Sequence, residues 1–152
     1  MTEPAPLSPP EQEELVREVG GMLLAKLPAG WQRANLSFRS TYGVDTATFV
    51  VTDSSGAEQR TPTPTSALRK MRELRNGMYE QDRGTWFTGT LTLEPPGRYQ
   101  IDYDYDSEPT FVPPLKPSAY ELDFEFFPRS DEHTPDWLRQ KLDEAQQNES
   151  DA

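Results

Sequence analysis

An α+β domain is predicted: a mainly antiparallel sheet of five to six strands, packed by an N-terminal and a central helix, with an extra C-terminal helix. Three observations predict it. Leu15, Val19, Met22, Leu23 and Leu27 recur at helical spacing. Trp31–Tyr42, Trp86–Leu93 and Tyr99–Tyr105 alternate with the period of a strand. The 15 prolines in 152 residues cluster outside these periodic segments, so they mark the joints.

Residues 1–7 are Pro-rich and expected to be disordered, the domain is expected over 8–146, and 147–152 reads as a disordered tail. Ser8 suits a helix N-cap, Pro9 the first helical position, and Glu11 completes a capping box. Pro28-Ala29-Gly30 stops that helix, and Gly20-Gly21 inside it suggests close packing on a sheet. In the first strand Ala34, Leu36, Phe38 and Tyr42 share one side, while Arg33, Asn35, Ser37 and Arg39 share the other. Ala47, Phe49 and Val51 alternate likewise in Thr46–Thr52, and Gly43 between the two runs predicts a hairpin. Asp53-Ser54-Ser55-Gly56 is a turn signal, with Ala57–Arg60 as a candidate short strand.

Thr61-Pro62-Thr63-Pro64 breaks the pattern. A central helix is expected over residues 64–81, with Leu68, Met71, Leu74 or Arg75, and Met78 inward. Its Arg69, Lys70, Arg72 and Arg75 form the one basic cluster of the chain, and Asn76-Gly77 marks an awkward point inside it. Pro95-Pro96-Gly97 is a tight link, so Trp86–Leu93 and Tyr99–Tyr105 are expected to pair antiparallel. Ser107–Ser118 reads as a Pro-rich loop, long enough to suggest a functional segment. Tyr120–Phe126 reads as a further strand, with Tyr120, Leu122, Phe124 and Phe126 on one face and Glu121, Asp123 and Glu125 on the other. Thr134-Pro135 opens the last helix, whose Trp137, Leu138 and Leu142 suggest a docked face.

Function classes narrow next. A net charge of −11 argues against a nucleic-acid or anionic-membrane partner. The chain has no cysteine, which excludes disulfides and thiolate catalysis. No long apolar run or secretory leader pattern is read, so a cytoplasmic protein is expected. The single His133 sits in a polar loop, and no nucleophile-elbow, zincin, Walker or dinucleotide pattern occurs. No enzyme activity and no cofactor are expected.

Asp102, Asp104 and Asp106 alternate with tyrosines, so their carboxylates share one strand face at about 6–7 Å spacing. Three readings compete for that face: a solvated surface, a protein-binding surface, and a cation or ligand site supplemented by Glu121, Asp123 and Glu125. Were Tyr99–Tyr105 and Tyr120–Phe126 neighbours, carboxylates would oppose one another, at a cost of roughly a few tenths of a kcal/mol per pair. A face that tolerates this repulsion suits a basic partner. A separate alternative is an adaptor binding through the basic helix Arg69–Arg75.

Trp86 leading an alternating strand, then Gly97-Arg98-Tyr99-Gln100-Ile101-Asp102-Tyr103-Asp104-Tyr105-Asp106, resembles the YezG-type immunity proteins of bacterial polymorphic toxin systems. The resemblance spans most of Ser8–Phe127. It implies a cytoplasmic, non-enzymatic antitoxin that binds the C-terminal toxic domain of a secreted effector, of nuclease, NAD-hydrolysing or deaminase type. The sequence departs from the family at its end, where Phe124-Glu125-Phe126-Phe127 replaces a final tryptophan or tyrosine and the Pro135–Gln146 helix is extra. The partner-binding residues expected are Asp102, Asp104, Asp106, Glu121, Asp123 and Glu125, with Tyr42 and the Pro-rich loop beside them.

Overall fold

The computed structural model describes residues 6–150. Among the described residues, four helices and a five-stranded antiparallel sheet form the α+β fold expected. The chain runs α1 (Pro9–Leu24), β1 (Trp31–Thr41), β2 (Val44–Asp53), β3 (Glu58–Thr61) and α2 (Thr65–Gly77). It continues with β4 (Thr88–Glu94), β5 (Arg98–Asp104), α3 (Pro117–Phe126), a 3-10 turn (Asp131–His133) and α4 (Asp136–Ser150). Sheet order is β3-β2-β1-β4-β5.

Local chemistry explains the starts. Ser8 Oγ accepts from the Glu11 amide while Glu11 accepts from the Ser8 amide, closing the capping box at α1. The positive φ of Gly30 and Gly56 suits the turns before β1 and between β2 and β3. Gly89 has a different task. A Cβ there would lie 3.0 Å from the Trp86 indole, so the missing side chain lets that ring lie over β4.

Register sorts the sheet into two faces. Ala34 opposes Val51 and Leu93; Leu36 opposes Phe49 and Leu91; Phe38 opposes Ala47 and Gly89. These residues join Val16, Val19 and Leu23 of α1 and Met71 and Leu74 of α2 in the main core. On the other face Ser37 lies between Thr48 and Thr90, and Arg39 between Thr46 and Thr88. Each of these polar rows ends on a carboxylate of β5, Asp102 beside Thr90 and Asp104 beside Thr88. A second, smaller core gathers Phe87, Tyr120 and Leu138, with Leu115, Phe124, Trp137 and Leu142 around them. It joins α3 and α4 to the start of β4.

Several expectations are corrected. Tyr120–Phe126 is helix, not strand. Pro117 occupies the first turn, and a 3.6-residue period sends Tyr120, Asp123 and Phe127 inward. The α2 helix stops at Gly77 rather than near 81. Of residues 1–7, the first five lie outside the described residues, but Leu7 is ordered: its amide donates to the Gly77 carbonyl at 2.9 Å and its side chain packs on the core. Of the expected tail, 151–152 lie outside the described residues, whereas α4 runs on to Ser150. Gly20 is buried near Leu93, yet a Cβ there would meet only an ordinary contact at 3.9 Å, and at Gly21 it would meet nothing. Close packing therefore does not demand that pair.

Candidate functional site

The β5 strand is a sheet edge, and its polar face carries Asp102 and Asp104 outward. Asp102 accepts from Gln100 Nε2 at 3.3 Å. Asp104 Oδ1 accepts from the amides of Ser107 at 2.9 Å and Asp106 at 3.1 Å. The bond from Ser107 holds the Asp104 carboxyl below the usual range. Asp104 thus fixes the turn that leaves the sheet. The exposed Asp106 is anchored through its own carbonyl, which accepts from Trp137 Nε1 at 2.7 Å. That bond ties α4 to the end of β5.

A cleft of about 450 Å³ lies along this edge, lined by Arg83, Thr88, Thr90 and residues 102–106. The guanidinium of Arg83 stands 3.9 Å from the centre of the Tyr105 ring, a cation–π arrangement. Tyr103 leans toward Trp86, and burial pushes its phenol up to about 12. The tyrosines of the Asp-Tyr repeat are therefore half-buried against the core, and the aspartates are its exposed side.

The three carboxylates expected from Tyr120–Phe126 part company. In a helix, Glu121 and Glu125 fall on one strip of the outer face, while Asp123 points in. Glu121 lies beside Glu149 of α4; their hydrogen bond raises the Glu121 carboxyl, and the charges of Glu149 and Glu125 raise it further. Asp123 is 4% exposed and cannot reach a partner protein. It faces Arg75, which is fully buried. Arg75 Nη2 donates to Asp123 Oδ2 at 3.1 Å, and Nη1 lies 2.9 Å from Oδ1, off the hydrogen-bonding direction. Arg75 Nε donates to the Trp86 carbonyl at 2.6 Å, and the guanidinium stacks near Phe87 and Phe127. Asp123 is therefore removed from the partner-binding set because it is the counter-ion of a buried arginine.

Two further expectations change with the helix. Among the described residues β4 is the only strand beside β5, so Asp102 and Asp104 oppose threonines rather than carboxylates, and no ladder of like charges forms there. The basic cluster of α2 also dissolves: Lys70 pairs with Glu18, Arg72 with Asp45, and Arg75 with Asp123, while Arg69 is exposed. Three of its four cations are engaged internally, which leaves little for an adaptor surface. Among the described residues, no three His, Cys, Asp or Glu side chains come together as a metal-holding group.

Tyr42 sits at the tip of the β1–β2 hairpin, 41% exposed. Its ring stacks on Phe126 with centroids 3.8 Å apart and planes 3° apart. This places Tyr42 beside α3, a neighbour the sequence did not identify. The signal for it lay in the proline at the first turn and in the phenylalanine four residues beyond Leu122.

No helix among the described residues is long and apolar enough to cross a membrane. No family model matches the chain, and no curated protein matches it.

Proposed function

We propose that this chain is an immunity protein, acting by binding and blocking the toxic domain of a cognate polymorphic toxin. One observation carries the reading: the negative charge is concentrated in one region. Residues 102–152 hold 14 of the 26 carboxylates but only 4 of the 15 cations, while residues 1–101 are nearly balanced. The described segments among these are contiguous in space, because α3 and α4 pack together and Trp137 bonds to Asp106. A field of one sign over one region steers a partner of the other sign. Toxins that act on nucleic acids are often basic, because their substrate is anionic. The resemblance of residues 86–106 to YezG-type proteins supports the same reading.

The surface proposed is Asp102, Asp104 and Asp106 on the β5 edge, with Glu121, Glu125 and Tyr42 beside α3. Binding rather than chemistry would do the work, by occluding the toxin's active site. The test is co-expression in a bacterial host with the toxin domain that copurifies with this chain from its own host. Growth arrest relieved by the wild type, and lost again on reversing Asp102 and Asp104 together to lysine, is the expected result. Arrest that persists with the wild-type chain well expressed and folded would sink the proposal.

A further inference from the structure

Five large apolar side chains remain exposed among the described residues, and three of them lie about Gly43 at the tip of the β1–β2 hairpin. Tyr42 and Val44 flank Gly43 at the hairpin tip, with 41% and 37% of their surface open. Leu122 on α3 is 40% exposed and faces them, its Cδ2 only 3.8 Å from where a Cβ on Gly43 would stand. The stacked Tyr42–Phe126 pair closes the patch on its inner side.

Helix geometry sets charge beside this patch. Leu122 and Phe126 form one strip of α3, and Glu121 and Glu125 form the adjoining strip toward solvent. Glu149 of α4 stands beside Glu121 and adds a third carboxylate. Two helices thus hold like charges together at the rim of an apolar patch, and a cation placed there relieves the repulsion. The corner is also held in place: Ser40 Oγ donates to Asp45 at 2.5 Å, and Arg72 pairs with the same carboxylate, bracing the hairpin against α2. A preorganised surface loses less entropy on binding.

We infer that this corner is the energetic anchor for a basic protein partner, which packs an apolar side chain on Tyr42, Val44 and Leu122 and sets lysines or arginines against Glu121 and Glu125. The inference rests on the immunity reading and names the part of the surface that holds the toxin domain. The occupant follows from charge: the region around the patch is strongly acidic, which disfavours a second copy of this chain and favours a cationic partner. An apolar centre with a charged rim is also where binding energy concentrates.

The experiment is titration calorimetry of the full chain against the purified toxin domain that copurifies with it. Leu122→Ser is expected to weaken binding by about 30-fold, the size of a hot-spot loss, with its melting temperature near that of the wild type because the side chain is half exposed. Glu125→Lys, at a fully outward position, tests the charge without touching the packing, and is expected to slow association. Both variants binding within twofold of the wild type, while the wild type binds and protects, would overturn the anchor and leave the immunity reading standing. Failure of the wild type to bind the domain would overturn both. Light scattering that finds a dimer of this chain, split by Leu122→Ser, would assign the corner to self-association and overturn the anchor.

Discussion

Arg75 and Asp123 carry opposite charges out of water at the seam between the two cores. Desolvating both ions is costly, and the ion-pair contacts and the Trp86 carbonyl offset it. The seam is reinforced by Arg129, whose Nη2 donates to the Thr85 carbonyl at 2.9 Å while its guanidinium lies 4.9 Å from the Phe87 ring centre. Thr85 in turn donates to the Arg75 carbonyl at 2.6 Å. Asp123→Ala strands a buried guanidinium, and the expected loss is about 3–5 kcal/mol in urea unfolding. Replacing the pair together, Arg75→Met with Asp123→Leu, should recover part of that loss. Recovery should be incomplete, since the Trp86 carbonyl loses its donor at a cost of about 1–3 kcal/mol. A single-variant loss below ~1 kcal/mol would mean that water already reaches the pair. The sequence marks Arg75 only as an alternative to Leu74 for an inward position among outward cations, and it does not mark Asp123 at all, which sits between two outward glutamates. What separates them is a partner 48 residues away.

Two elements, β5 and α3, are docked by tyrosines that titrate late. Burial pushes the Tyr103 phenol of β5 up to about 12, and does the same for Tyr120 of α3. The unfolded chain ionises its tyrosines near pH ~10. Between about pH 10 and 12 the unfolded state is therefore the one that loses protons first, and stability falls as pH rises through that window. Ultraviolet difference titration should show these two phenols ionising late in the folded protein and with the others in denaturant. Replacing either with phenylalanine should remove one late step. If Tyr103 ionised near pH ~10 in the folded state, β5 would not be seated on Trp86 as described. These two elements also mark where sequence reading succeeded and failed. The β5 alternation was legible because a proline-glycine turn tied it to a neighbouring strand. In α3 the same alternation of aromatic and acid misled, since a short apolar run satisfies a period of two and a period of 3.6 alike.

At the scale of the molecule, charge and packing divide the chain similarly. The main core of α1, α2 and the sheet lies in a region of near-balanced charge, and the second core carries the acidic excess. If a basic toxin is the partner, association should slow at least ~10-fold from low to high salt, with dissociation changing little. Stopped-flow binding across a salt series reads this directly. A salt-independent association rate would argue that the acidic region serves solubility alone.

Local patterning of residues suffices for the α+β class, the capped first helix, the hairpin of β1 and β2, the pairing of β4 with β5, and the surplus of carboxylates after residue 101. Each rests on near neighbours: a cap within one turn, a period within one strand, a turn between two strands. Long-range packing sets the rest: Tyr120–Phe126 is helical, Asp123 is a counter-ion rather than a contact residue, and Tyr42 meets Phe126. Those outcomes depend on what lies opposite a side chain after folding. A carboxylate has the same local pattern whether water or a buried arginine faces it, and only the fold supplies the arginine.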